Sequence, residues 1–191
     1  MYRLAKLSTL VFAAATIFVM GCSSAQKASP IASNAPEWVN KGSGAFKDAQ
    51  GGAVFYGVGI AQGIKNRALQ VTAADDRGRA EIAKIMNSYV VVLTKDYMAS
   101  TTAGDMTKSS EEQHVSQVLK NFAKFTLHGA TPVDHWKDPA DGTLFALIKL
   151  DMAAIKKSLE ESKELDAKVR DYVRSNAEKA FDELSAEEAK H

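Results

Sequence analysis

From Leu7 to Met20 the chain reads LSTLVFAAATIFVM, fourteen residues without a charge. Arg3 and Lys6 precede this run and Gly21-Cys22 closes it. A bilayer-spanning helix needs about 20 apolar residues, so a basic start, a short apolar stretch and a small residue predict a secretory signal over 1–21. The next stretch, SSAQKASPIASNAP from Ser23 to Pro36, has little to bury and predicts a flexible tether over 22–36.

Folded patterning begins at Glu37-Trp38-Val39. A glycine-rich loop (Gly42, Gly44, Gly51, Gly52) leads to Ala53–Ala61, AVFYGVGIA, an apolar run bounded by glycines that predicts a buried strand. Ala68, Val71, Ala74, Gly78, Ile82, Ile85 and Tyr89 then recur at steps of three and four, which predicts a helix from Asn66 to about Ser88. Its small central residues suit close packing on a sheet. Asp75 and Arg79 form an i,i+4 pair on its outer face. Tyr89–Tyr97, YVVVLTKDY, is β-branched and aromatic and predicts a second strand.

The polar stretch from Met98 to Ser110 predicts a loop or flap. Ser109 and Glu112 make a capping box for a helix with the stripe Val115, Val118, Leu119 and Phe122. From Phe125 the period becomes strand-like, with Gly129 and Pro132 predicting a bend or an edge position. The turn Asp138-Pro139-Ala140-Asp141-Gly142 joins it to a strand over Thr143–Leu150 in a hairpin. Asp151 caps a final helix towards Lys190, whose stripe includes Ile155, Leu159, Leu165, Val169, Val173, Ala177, Ala180, Phe181 and Leu184, with Glu164–Lys168 and Asp166–Arg170 as outer pairs. Two outcomes are open: the helix folds back over the sheet with a break near Ser185, or it projects as a coiled-coil or partner-binding arm.

Chemistry adds mostly exclusions. Loss of Arg3 and Lys6 with the signal takes the formal charge from +1 to −1, which leaves no footprint for nucleic acid. Cys22 is the single cysteine, so no disulfide braces the fold; a chain that is 46% hydrophobic must rely on its core. His114, His128, His135 and His191 show no metal-ligand spacing, His128 and His135 are expected to face solvent, and no G-x-S-x-G elbow occurs. Ser24-Ala25-Gln26-Lys27 matches S-x-x-K without its companion motifs. Gly57, Gly59 and Gly63 give G-x-G-x-x-x-G, one residue longer than the dinucleotide fingerprint and without its acidic partner, so these glycines are expected to mark close backbone approach. Adjacent Asp75 and Asp76 read as a solvated face. No catalytic residue, cofactor or metal is nominated.

Val19-Met20-Gly21-Cys22 resembles a bacterial lipobox, which implies cleavage between Gly21 and Cys22 and lipidation of Cys22. Each buried methylene of an acyl chain contributes about 0.8 kcal/mol, and stable attachment takes more than one chain. Ser23, in place of a retention-signal Asp, implies the outer membrane. Further on, PEWV, FYGVGIA, DDRGRAEIAKIM, VSQVL, LHGATPVDHWKD and GTLFALIKLD, with Gly129, Ala130, Asp134 and Trp136 in one segment, resemble the Lpp-twenty family of envelope lipoproteins, one branch of which, FlgP, helps build a disk around the flagellar motor. The resemblance covers roughly Cys22 to Asp151 and implies an α+β domain over 37–151, an antiparallel sheet packed on a long helix; the additional long C-terminal helix over 152–191, read from its apolar stripe, lies outside it. The resemblance also implies a non-enzymatic outer-membrane lipoprotein facing the periplasm or the cell surface, a structural or assembly module with envelope protein partners or self-assembly. The alternative is a periplasmic ligand-binding or enzyme-accessory lipoprotein, with the Met98–Ser110 loop covering a pocket beside FYGVGIA.

Overall fold

The computed structural model describes residues 34–101, 109–163 and 165–190. Gly21, Cys22, the signal, most of the tether including Ser24 to Lys27, the centre of the Met98–Ser110 stretch, Glu164 and His191 lie outside them, as do the side chains of the Ser109–Glu112 capping box.

The described chain runs α1 (Glu37–Lys41), β1 (Gly44–Lys47), β2 (Ala53–Ala61), α2 (Arg67–Thr101), α3 (Ser109–Thr126), β3 (Thr131–Lys137), β4 (Leu144–Asp151), α4 (Met152–Glu161) and α5 (Ala167–Glu188). The strands form one antiparallel sheet in the order β1-β2-β4-β3. With helices packed on it, this is an α+β fold.

Helix α2 lies across the inner face of the sheet, and three glycines allow it. A Cβ on Gly57 would stand 2.2 Å from the Gly78 carbonyl oxygen; one on Gly59 would stand 1.9 Å from that of Ala74; one on Gly78 would stand 2.4 Å from Ile148 Cγ1. The expected close approach is therefore met by the helix backbone, and Gly57 and Gly59, which resemble part of a dinucleotide fingerprint, serve packing. Around this seam, Phe55 of β2 sits edge-on to Tyr89 at 5.4 Å and to Phe181 at 5.1 Å, and the buried Tyr89 hydroxyl donates to the Ala177 carbonyl at 2.9 Å.

Tyr89–Tyr97 is not a second strand. It continues α2, which runs 35 residues, roughly 50 Å. Tyr89, Val90, Leu93 and Tyr97 are buried, while Val91 is 62% exposed. A strand would put residues 89, 91 and 93 on one face, so this burial is helical. The β-branched run yields to tertiary packing, because this half of α2 buries its stripe against α3 and α5.

The final helix divides. Ser162 ends α4, and Asp166 opens α5 by accepting the Val169 amide at 2.8 Å. Asp166 is thus a cap rather than an ion-pair partner for Arg170, whose guanidinium donates to the Ser162 and Leu165 carbonyls. Asp151 caps α4 through the Ala154 amide as expected. The stripe residues of α4 and α5 are buried, so the C-terminal helix folds back. The break falls at 162–166 instead of near Ser185, which lies inside α5.

Strand β1 occupies what reads as glycine-rich loop. It is only four residues long, followed by a turn in which Asp48 accepts the Gln50 and Gly52 amides. Its outer edge is closed: the Ala45 amide donates to the Glu188 carboxylate at 2.7 Å, and the Ser185 hydroxyl donates to the Ala45 carbonyl at 3.0 Å. Strand β3 forms the other edge, as Pro132 predicts, with a register shift between Pro132 and Asp134. It starts at Thr131, because Phe125 and Thr126 still belong to α3 and a 3-10 turn spans Leu127–Gly129.

Candidate binding groove

Side chains alternate along a strand, so Tyr56 and Val58 of β2, Phe145 and Leu147 of β4 and Trp136 of β3 share the sheet face opposite α2. Val39, Val58, Phe145 and Leu147 form a second buried cluster, with Ala35, Trp38, Tyr56 and Trp136 packed against it. Helix α1 covers part of this face. Its Val39 is buried, and the Trp38 indole N–H donates to Asp134 of β3 at 2.9 Å.

Between α1 and β1 the same face holds an open groove of about 350 Å³ lined by Glu37, Trp38, Lys41, Phe46, Lys47, Asp48, Tyr56 and Leu147 among others. Phe46 and Tyr56 lie side by side with centroids 6.2 Å apart and planes tilted by 35°. Lys41 Nζ stands 4.3 Å above the Phe46 ring, a cation–π contact. Lys47 pairs with Asp182 at 3.0 Å. Apolar and aromatic walls with a few polar groups are the usual make-up of a small-molecule site, and the volume falls at the small end of that class. The groove does adjoin FYGVGIA through Tyr56, but α1 and β1 wall it.

The described histidines are dispersed. His114 is exposed on α3, and His128 Nδ1 lies 2.8 Å from the Phe125 carbonyl. His135 is exposed yet engaged: its Nε2 lies 2.6 Å from Asp75 Oδ1, tying β3 to α2. Asp75 therefore faces His135, and Arg79 pairs with Asp76 at 3.5 Å instead. Among the described residues no group of three or more His, Cys, Asp or Glu could hold a metal ion, and no helix is long and apolar enough to cross a membrane.

Tyr89 and Asp141 are displaced from their ordinary titration in ways that bear on stability. Burial, then the charge of Glu178, pushes the Tyr89 phenol well up. The Thr143 amide holds the Asp141 carboxylate down, with help from Gln62, which donates at 3.0 Å.

The sequence signals point away from this groove. Trp38 is legible as the start of order, but Phe46 lies in a strand hidden by its glycines, and Tyr56 reads as one apolar position among nine. No protein-family model, curated protein or solved structure matches the chain.

Proposed function

We propose that this protein is a non-enzymatic, lipid-anchored module of a bacterial outer membrane, attached through Cys22 and serving structure or assembly in the envelope, with the flagellar complex as the candidate setting. The lipobox-like Val19 to Cys22 and the Lpp-twenty resemblance support the anchor and the setting. The observation that carries the reading is the junction between tether and domain. Ala35 already packs on the outer sheet face, and α1 follows at once. The twelve residues from Ser23 to Asn34 give a reach of roughly 40 Å if extended, enough to hold the domain clear of a bilayer. Because the α5 stripe is buried, the partner-facing surface in this reading is the outer sheet face with its groove.

The test is fractionation of cells producing the full chain or its Cys22→Ala variant, with mass analysis of the purified protein. The expected result is an outer-membrane protein that starts at Cys22 with added acyl mass, and a variant that leaves the membrane. Unmodified Cys22, or a variant that partitions as the parent does, overturns the reading.

A further inference from the structure

We infer that the groove formed by Trp38, Phe46 and Tyr56 is a binding site for a neutral glycan, a short stretch of pyranose rings. Three features select this chemistry. First, Tyr56 offers an aromatic ring beside Phe46, with Trp38 as a wall. The negative face of an aromatic ring attracts the weakly positive C–H groups that cover one face of a pyranose. Second, the charged residues of the lining are Glu37, Lys41, Lys47 and Asp48, which cancel. A polyanion or polycation would meet as much repulsion as attraction, whereas hydroxyl and acetamido groups accept from an ammonium and donate to a carboxylate equally well. Third, Lys41 caps Phe46, which leaves Tyr56 as the stacking ring and sets an ammonium hydrogen-bond donor next to it. Lys47 and Asp48 are already engaged, with Asp182 and with the turn amides, so Lys41 and Glu37 supply the directional contacts.

The groove is open, so a polymer can cross it without threading. That the natural ligand is a glycan of the envelope rests on the proposed function; that the site takes a pyranose chain rests on the rings and the charges.

The experiment is a titration of detergent-solubilised full-length protein with chitotetraose, a soluble oligomer of N-acetylglucosamine. Trp38 and Trp136 are the two tryptophans, so Trp136→Phe leaves Trp38, in the groove wall, as the reporter. A saturable emission change is expected in Trp136→Phe, weakened at least tenfold by adding Tyr56→Ala and several-fold by adding Lys41→Ala, a surface change that leaves the core intact. No saturable change up to millimolar oligosaccharide overturns the inference. So does a response that both variants retain, or one elicited only by a polyanion such as heparin. The readout does not involve Cys22, so its failure leaves the fractionation result standing, and the reverse holds.

Discussion

Gly59 of β2 and Ala74 of α2 meet backbone to backbone: a methyl group on Gly59 would fall 1.9 Å from the Ala74 carbonyl oxygen and 2.4 Å from the Gly78 amide nitrogen. Neither atom belongs to a side chain that can rotate away, so the helix would have to lift from the sheet. Overpacking of a core commonly costs about 1–3 kcal/mol and sometimes more. Gly59→Ala is expected at or above the upper end, read as a lowered urea midpoint. Thr72→Ala, on the exposed side of the same helix, is expected to stay within about 0.5 kcal/mol of the parent.

Tyr89 makes stability fall at alkaline pH. Its phenol titrates higher in the folded protein than in the unfolded chain, owing first to burial and then to Glu178. This contribution is fully present below the unfolded value of about 10 and is lost as pH rises towards the folded one. Tyr89→Phe is expected to lose about 1 kcal/mol at neutral pH with the hydrogen bond to Ala177, and to show a flatter decline above pH 10. Denaturation series at pH 7 and at pH 10–11 check both, and an unchanged alkaline slope would refute the assignment.

The opposite sign holds for Asp141. Its carboxyl is held below the ordinary value, first by the Thr143 amide, so its contribution is present above the unfolded pKa of about 3.9 and is lost as pH falls through the folded one. Asp141→Asn is expected to weaken the turn before β4 at neutral pH and to blunt that part of the acid transition. Circular dichroism from pH 7 to pH 2 reads it.

Both tryptophans belong to the outer-face cluster: Trp38 bonds Asp134, and Trp136 lies 5.4 Å from Phe145. Helix α1 has five residues and a single buried side chain, Val39, so it belongs to the low-stability end of the molecule. Tryptophan emission is expected to change at lower denaturant than far-ultraviolet dichroism, and Asp134→Ala is expected to widen the gap. Coincident transitions in both proteins would show α1 to be part of the global unit.

Much of this fold is legible because periodicity carries it. Ala74, Gly78, Ile82 and Ile85 mark the inner face of α2, and the apolar runs of β2 and β4 identify the central strands. Tyr89–Tyr97 misleads because β propensity and helical burial conflict there, and burial prevails since α3 and α5 supply a hydrophobic surface that no local pattern reveals. The break at 162–166 is signalled by Asp166 as a cap, yet the apolar stripe passes through Leu165, which is buried even though it lies between the helices. The groove is least legible, since it joins α1, β1 and β2, and β1 owes its pairing to β2 rather than to its own composition.

The closure of β1 by Ser185 and Glu188 bears on what crowding does to this molecule. In the anchored state proposed above, attachment to a surface would raise local concentration without raising the total, and under such conditions an unpaired strand edge invites its copies to add on and grow into fibrils. Here one edge is stoppered by the end of the last helix, and the other is spoiled by Pro132 of β3 and the bulge beside it. Domains packed side by side would then meet through faces rather than edges, with Ser185 and Glu188 of α5 covering β1 at Ala45.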